Sequence, residues 1–380
     1  MTSVDLRRVL FYLPEMKVGG AEISLLRLAQ GLREHGMQPA FAIHRADAAA
    51  RRLAGDMELV SLDADRTLAA VRRLAAVLHG RRPDFLVSAL THANVVAAIS
   101  AKLARVPTRV VLSEHAPITS MRQVDGSRTY RATLAAMPWA YRLADSVVAV
   151  SQGVYDDIGP MLAAGTRRRF EIIPNPVLRP DWQAMSQAAV EDEWFDPGAA
   201  PVVLSVGRLS PEKNFALLIR AFAQLPAASG PQPRLAIIGD GPERDRLRAL
   251  IDALGLHERV RLLGQRDNPF AYMRRSRVFA FASNFEGFGN VLIEAMACGL
   301  PIVCTDCPVG PREILCDGRY GDLVAPGDVD ALAAALQRRL CDPLPAPGAQ
   351  ARALEFTAER SVAQYLALFA RLSATPRRRR

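Results

Sequence analysis

The chain has 380 residues, half of them apolar and 23% charged, which is the balance of a globular protein and excludes a disordered chain. This length exceeds one comfortable hydrophobic core and predicts two domains of roughly 150–200 residues each. The net charge of +9 lies mainly in residues 1–178, which hold 23 Lys and Arg against 16 Asp and Glu, and no apolar run is long enough to predict a membrane span.

Apolar runs rich in β-branched residues alternate with helix-period segments through residues 1–178, which is the pattern of a parallel α/β sheet. The segment Pro174-Asn175-Pro176 ends the last of these runs. A polar stretch containing Trp and Pro, residues 179–200, is predicted to connect two domains. The strands predicted in this half are 8–13, 40–44, 58–61, 84–89, 109–113, 146–151 and 171–173.

A second alternation fills residues 201–354 and predicts a second doubly wound domain. Residues 355–372 have helical spacing and form a helix that can pack back on the first domain, followed by a basic tail, 373–380. Two such domains predict a cleft facing the carboxyl ends of both sheets, where ligands of open α/β folds bind. The strands predicted in this half are 202–206, 235–238, 260–262, 278–281 and 301–304.

The strongest motif is a glycine-rich turn between a strand and a helix. Gly287 and Gly289 let the backbone approach a ligand closely, and Asn290 begins a helix whose N-terminus carries partial positive charge. This combination predicts a cradle for a diphosphate. Glu294, one turn into the helix, is placed to accept hydrogen bonds from ribose hydroxyls, while Glu286, before the helix, faces the far end of the same ligand.

A solvated helix face is the alternative for Glu294, but the neighbouring positions are apolar, so the carboxylate needs a partner. The second motif places Arg208 and Lys213 after the strand 202–206. Two cations there would stabilise the charge that develops on a diphosphate leaving group. The alternative is that Arg208 and Lys213 are simply two surface charges, and the presence of the glutamate motif disfavours it.

In the first half, Gly19 and Gly20 follow the first strand and open a helix, where they can approach a phosphate. His115 closes a strand in the trio Ser-Glu-His and is predicted to project into the cleft, with a structural histidine as the alternative. No G-x-G-x-x-G follows the first strand, which disfavours a dinucleotide-dependent dehydrogenase, and no serine nucleophile elbow is present.

Five cysteines lie in the last third of the sequence, an odd number that predicts reduced thiols in the cytosol. Cys304 and Cys307 have the spacing of a zinc half-site, but no His lies nearby to complete a tetrahedral set. The sequence therefore predicts no metal. Nucleic acid is not an expected partner either, because the basic residues form no recognisable binding motif.

Taken together these segments resemble retaining glycosyltransferase family 4, which has the GT-B fold of two Rossmann-like domains, and the resemblance covers essentially the whole chain. It implies a sugar nucleotide held mainly by the second domain. It assigns Arg208 and Lys213 to the diphosphate, Glu294 to the ribose, and Glu286 with the backbone of Phe288 and Gly289 to the sugar. It also implies backbone contacts from Asn290, Val291 and Leu292, a phosphate-facing Gly20 and a sugar-facing His115.

The family resemblance further implies catalysis without a metal and substitution on the same face of the sugar, with the leaving phosphate helping to deprotonate the acceptor. The segments Ser113–His115 and 307–315 are similar to bacterial members that extend undecaprenyl-diphosphate-linked oligosaccharides from UDP-hexose or UDP-N-acetylhexosamine. The basic first domain would then meet a glycan or lipid-linked acceptor and an anionic membrane surface, peripherally, on the cytoplasmic side. The alternatives are a GT-B nucleotide-sugar epimerase and a non-catalytic sugar-nucleotide-binding protein.

Overall fold

The computed structural model divides the chain into two compact units. The first unit is Met1–Pro176 together with Ala358–Arg380, and the second is Val177–Thr357. The last four residues of the predicted basic tail lie outside the described part of the chain. The structure describes residues 7–17, 19–65, 67–124, 126–226 and 231–376.

The first unit is built on a seven-stranded parallel sheet in the order β3-β2-β1-β4-β5-β6-β7. Reversal of strand order between β1 and β4 is the feature that opens a ligand crevice in doubly wound sheets. All seven strands lie where the sequence predicts them. Their bounds are β1 (Arg8–Tyr12), β2 (Gln38–Ile43), β3 (Glu58–Ser61), β4 (Phe85–Ala89), β5 (Arg109–Glu114), β6 (Ser146–Ala149) and β7 (Phe170–Ile172).

Helices connect these strands because apolar faces at helical spacing must be buried against the sheet. In α1, for example, the buried positions include Leu25, Leu28, Ala29 and Leu32, which lie on one stripe of the helix. The helices of this part of the chain are α1 (Gly20–Glu34), α2 (Ala48–Ala54), α3 (Thr67–Arg81), α4 (Thr91–Ala104), α5 (Ile118–Val124), α6 (Arg128–Ala140), α7 (Gln152–Ile158) and α8 (Ala164–Arg167).

The second unit contains a six-stranded parallel sheet in the order β10-β9-β8-β11-β12-β13. This arrangement repeats that of the first six strands of the first sheet. Five strands match the prediction. The sixth, β13, was not predicted, because it has three residues and pairs only with β12. The strands are β8 (Val202–Val206), β9 (Arg234–Ile238), β10 (Val260–Gly264), β11 (Val278–Phe281), β12 (Ile302–Thr305) and β13 (Asp322–Val324).

Residues 179–200, predicted as a connection, pack on the second unit instead of crossing between units. Trp194 and Phe195 are buried, and the Arg261 guanidinium lies 4.1 Å from the centre of the Trp194 ring. Here α9 packs against α12. The helices of this unit are α9 (Trp182–Gln187), α10 (Phe215–Ala223), α11 (Arg244–Ala253), α12 (Pro269–Arg274), α13 (Asn290–Ala297), α14 (Pro311–Ile314), α15 (Val329–Cys341) and α16 (Ala349–Ala353).

The final helix, α17 (Ala358–Ala374), returns to the first unit and packs against α1. Its buried face includes Tyr365 and Phe369, and the Phe369 ring stacks on Phe85 with centroids 4.1 Å apart. Within the described ranges, no helix is both long enough and apolar enough to cross a membrane.

Candidate functional site

The donor residues predicted in the second unit follow β8 and β11, which are adjacent parallel strands. Their following loops therefore leave the sheet at the same edge, at the point where the strand order reverses. Arg208 and a short 3₁₀ turn, Pro211–Lys213, follow β8, and Glu286 follows β11. The fold thus brings together side chains that are more than 70 residues apart in sequence.

Lys213 and Glu286 form an ion pair at this edge. The Lys213 ammonium donates to Oε1 of Glu286, and the Ser283 hydroxyl donates to the same oxygen at 2.7 Å. The two charged side chains are 22% and 11% exposed, so the pair is largely shielded from solvent. No residue that the structure describes bonds the second oxygen, Oε2. Glu286 is therefore held in one orientation with one oxygen available to a ligand.

Side chains from both loops fix this arrangement. The Asn284 N–H donates to the Glu212 carbonyl at 2.8 Å, and its side-chain amide donates to the Pro211 carbonyl at 3.3 Å. The Asn214 amide donates in turn to Oδ1 of Asn284 at 3.0 Å. Asn214 also caps α10 by accepting from the Leu217 N–H. The loop that carries Lys213 is therefore tied to the loop that carries Glu286.

Arg208 differs from Lys213 in being exposed, and its guanidinium makes no hydrogen bond or ion pair with any described residue. Its backbone is nevertheless fixed, because the flanking N–H groups of Gly207 and Leu209 donate to the carbonyls of Ile238 and Asp240, both at 3.0 Å. An exposed cation on a rigid loop is available to an anionic ligand.

The loop after β9 was not singled out from the sequence, although it supports Arg208. Gly239 has φ +142°, and a Cβ atom there would lie 1.8 Å from the carbonyl oxygen of Gly207. A Cβ on Gly241 would lie 2.4 Å from the Leu209 carbonyl oxygen. Two glycines directly after a strand are the signal that sequence reasoning overlooked.

The glycine-rich turn begins α13 at Gly289, whose φ of +103° is in the left-handed region that favours glycine. Asn290 and Val291 form the half-exposed first turn. The N–H of Leu292 donates to the Gly289 carbonyl at 3.0 Å and is thus directed into the turn. Glu294 is 6% exposed, so it does not lie on a solvated helix face.

The side chain of Phe288 holds the same turn in place. Its ring is buried and meets Phe356 edge to face, with centroids 5.5 Å apart. Its carbonyl oxygen faces Gly310, where a Cβ atom would approach to 2.0 Å. Because the Phe288 carbonyl faces Gly310, the predicted backbone contact with the sugar would have to come from other backbone groups of this turn.

In the first unit, His115 lies just after β5 and shares a hydrogen bond of 2.9 Å between its Nε2 and the Ser113 hydroxyl. Its Nδ1 is buried, and no residue in the described ranges bonds it. Burial lowers the pKa of His115 to about 4, so the ring is neutral at pH 7. It can exchange a hydrogen bond with a ligand without carrying charge. Gly20 is exposed at the start of α1.

A buried polar network beside His115 was not predicted. Oδ1 of Asn94 accepts from Ser88 at 2.6 Å, and its amide lies within bonding distance of the Ser113 carbonyl, Oε1 of Glu114 and the Tyr141 hydroxyl. Burial raises the pKa of Glu114 to about 8, although hydrogen bonds from Asn94 and Thr91 oppose the shift. The two side chains have different partners, because His115 bonds Ser113 whereas Glu114 bonds Asn94 and Thr91.

Cys304 and Cys307 are buried, and burial raises the pKa of both thiols, to about 12 for Cys307. Thiols at such positions remain protonated rather than forming metal-binding thiolates. Within the described residues, no three His, Cys, Asp or Glu side chains group closely enough to hold a metal ion. Independence from metal stays a prediction.

Two family models together match most of the chain. The model described as Glycosyltransferase Family 4 matches residues 18–177, and the model described as Glycosyl transferases group 1 matches residues 188–354. The chain belongs to glycosyltransferase family 4. The predicted fold class, two Rossmann-like domains of the GT-B type, is confirmed by the two sheets and by this family membership.

Curated relatives include bacterial enzymes named for glycan synthesis. A Campylobacter jejuni enzyme named N-acetylgalactosamine-N,N'-diacetylbacillosaminyl-diphospho-undecaprenol 4-alpha-N-acetylgalactosaminyltransferase is 40% identical over 53% of this chain and 52% of its own length. The lipopolysaccharide core biosynthesis glycosyltransferase LpsE of Rhizobium meliloti is 33% identical over 53% of this chain and 56% of its own. The chain spans about half the length of the curated relatives it matches.

Solved structures match the fold over nearly the full chain. Anabaena HepE in complex with UDP and glucose is 26% identical, with a TM-score of 0.79 over 96% of this chain and all of that one. A HepE complex with UDP-glucose gives a TM-score of 0.78 over 95% of this chain and 99% of the other. Sucrose-phosphate synthase from Thermosynechococcus elongatus, 22% identical with a TM-score of 0.80 over 97% of this chain and 99% of its own, shares the fold.

Proposed function

We propose that this protein is a retaining glycosyltransferase that moves a hexose or N-acetylhexosamine from a UDP-sugar to a polysaccharide or an undecaprenyl-diphosphate-linked oligosaccharide. The observation that carries the proposal is the shielded pair of Lys213 and Glu286 beside an unpaired Arg208, at the reversal point of the second sheet. A single edge thus offers cations for a diphosphate and a carboxylate oxygen for sugar hydroxyls.

The two cations act on the leaving group. As the bond between the sugar and the diphosphate breaks, negative charge grows on the diphosphate, and Arg208 and Lys213 stabilise it. The pairing with Glu286 holds Lys213 in place before the donor binds, so little reorganisation is needed during the reaction. Because these charges belong to the protein, catalysis requires no metal ion.

Retention follows from substitution on the same face of the sugar. The bond from the anomeric carbon to the phosphate oxygen breaks, the bond to the acceptor oxygen forms, and the acceptor proton passes to the leaving phosphate. His115 is too weak a base for this proton transfer, because burial lowers its pKa to about 4. It instead offers a hydrogen bond to the sugar from its unpartnered Nδ1.

The choice of donor and acceptor is supported by the named relatives. HepE is described in complex with UDP and with UDP-glucose, and the Campylobacter jejuni relative carries diphospho-undecaprenol in its name. The excess of positive charge in residues 1–178 fits an anionic acceptor and peripheral attachment at the inner face of the cytoplasmic membrane.

Thermal unfolding with UDP, GDP and ADP tests the donor, and product analysis with and without a lipid-linked acceptor tests the reaction. UDP should raise the melting temperature most, since ligand at 100 times its Kd adds about 2.7 kcal/mol of stability. A changed sugar nucleotide without acceptor would indicate an epimerase, and binding without turnover would indicate a non-catalytic protein.

Activity should survive treatment with EDTA, because the proposed partners of the diphosphate are protein side chains. Loss of activity with EDTA and its recovery on adding Mg²⁺ would overturn the metal-independent mechanism.

A further inference from the structure

The first unit contains a cavity of about 460 Å³ lined by residues of α5 and α6 and by Met161. Its size falls within the range of sites that bind small molecules. Ile118 and Met137 are buried and form an apolar floor with the half-buried Leu134. An apolar cavity of this size is suited to a hydrocarbon chain.

Two arginines line the same cavity. Arg122 on α5 and Arg131 on α6 are both exposed, and neither forms an ion pair or side-chain hydrogen bond with any residue in the described part of the chain. The acidic Asp157 is engaged elsewhere, accepting the Ile118 N–H at 2.6 Å and the Thr119 N–H at 3.2 Å. The cavity therefore combines apolar walls with two positively charged side chains that no described residue pairs.

The cavity also lies close to the predicted sugar-facing histidine. Ile118 follows His115 by three residues, so their Cα atoms are at most about 11 Å apart. A ligand whose apolar end fills the cavity can thus present its polar end near the carboxyl end of β5. This placement matches an acceptor with a lipid at one end and a growing glycan at the other.

We propose that the cavity binds the isoprenoid chain of a polyprenyl-diphosphate-linked acceptor, with Arg122 and Arg131 pairing with its diphosphate. The inference rests on the proposed function and locates the acceptor within it. A purely polar glycan would leave the apolar walls unfilled, whereas a diphosphate joined to a hydrocarbon chain satisfies both walls and charges. Trp139, 51% exposed on α6, suits a surface that takes such a lipid from a bilayer.

Farnesyl diphosphate, a short isoprenoid diphosphate, is the probe for this site, with farnesol and inorganic pyrophosphate as its separate halves. Calorimetry should show binding of farnesyl diphosphate that is at least 10-fold tighter than that of either half. Ala135→Trp, which fills the cavity from an exposed position, should weaken it at least 10-fold. Ala132→Trp, on the same helix outside the cavity, is the matched control and should bind as the unmodified protein does.

The charge is tested by the double variant Arg122→Ala and Arg131→Ala, which should lose affinity for farnesyl diphosphate but not for farnesol. Arg128→Ala, an exposed arginine of α6 that does not line the cavity, is its control. Equal binding of the probe by Ala135→Trp and Ala132→Trp would overturn the proposal. So would binding to anionic vesicles with no affinity for farnesyl diphosphate, because the basic surface would then serve the bilayer alone.

UDP affinity, measured on the same variants, separates the two proposals. If UDP binds the unmodified protein and all variants equally while farnesyl diphosphate binds none of them, not even the unmodified protein, the acceptor site is wrong and the donor site stands. If UDP binds none of them, including the unmodified protein, the proposed function itself fails.

Discussion

The two glutamates of the donor site differ in their surroundings although they are eight residues apart in sequence. Glu286 is oriented by Lys213 and Ser283 through one carboxylate oxygen, on a loop. Glu294 is buried in α13, one turn from the helix N-terminus. In the proposed donor orientation the first faces the sugar end and the second the nucleotide end, so their loss should have different consequences.

We expect Glu286→Ala to leave UDP affinity intact while turnover falls, because UDP lacks the sugar that Glu286 is proposed to contact. Glu294→Ala should weaken UDP binding by about 1–3 kcal/mol, the cost of losing hydrogen bonds to a charged acceptor. Calorimetry with UDP and steady-state rates measure both effects, with the exposed Glu258→Ala as control. Loss of UDP binding in Glu286→Ala with normal binding in Glu294→Ala would reverse the donor orientation.

Glu114 should make stability depend on pH. Burial raises its pKa to about 8, so between roughly pH 4.5 and 8 the folded protein keeps a proton that the unfolded chain releases. Unfolding free energy from this group therefore falls as pH rises through that window, at up to about 1.4 kcal/mol per unit. Glu114→Gln should flatten the decline in melting temperature from pH 5 to 8.

His115 behaves in the opposite way to Glu114. Burial lowers its pKa, so the stability that this group contributes is lost as the pH falls from about 6.5 toward 4.

The Glu114 prediction has a clear contrary outcome. A melting temperature that declined between pH 5 and 8 equally in Glu114→Gln and in the unmodified protein would show that the Glu114 carboxyl does not titrate in this range.

At the scale of loops and helices, the donor site depends on two glycine contacts between backbones. Gly239→Ala would push against the Gly207 carbonyl, where the added Cβ lies at 1.8 Å, and so displace Arg208. Gly255 also has positive φ, but a Cβ there meets nothing within 4 Å. We expect Gly255→Ala to lose about 1–2 kcal/mol from the strain of its positive φ. Gly239→Ala should lose more stability because its Cβ also clashes with the Gly207 carbonyl, and only this variant should lose UDP affinity. Equal UDP affinity in both, measured by calorimetry, would show that the contact does not position Arg208.

The regular elements were predictable because buried parallel strands are continuous apolar runs with clear ends. Two elements escaped prediction: β13, three residues long, and the segment 179–200, whose polar composition hides the two aromatic side chains that dock it. Short strands and docked connections are stabilised by tertiary contacts that leave little periodic signal in sequence.

The candidate site, too, was predictable from the sequence only in part. Arg208, Lys213, Glu286 and Glu294 could be singled out as candidates because each lies at a fixed offset from a strand end or a glycine. The ion pair between Lys213 and Glu286 was not foreseen, since it joins residues 73 positions apart. The family resemblance instead assigns the two side chains to different parts of the donor. The network around Asn94 was missed because a buried asparagine in an apolar helix has no distinctive spacing.

At the scale of the whole molecule, each unit has its own hydrophobic core, and the chain passes between the units twice. The core of the first unit includes four residues of α17, among them Tyr365 and Phe369, which come from the far end of the sequence. The first unit therefore cannot complete its core until the last helix has been made, whereas the second unit is continuous in sequence.

This division predicts that stability and donor binding can be separated by mutation. Phe369→Ala removes a buried ring that stacks on Phe85 and should destabilise the first unit by about 3–5 kcal/mol. The donor residues of the second unit are untouched, so UDP affinity below the melting transition should be unchanged. Phe222→Ala, in the core of the second unit, is the matched control and should lower UDP affinity along with stability. Scanning calorimetry measures the stability of both variants, and titration with UDP measures their affinity. A loss of UDP affinity in Phe369→Ala as large as in Phe222→Ala would show that α17 supports the donor site as well as the core of the first unit.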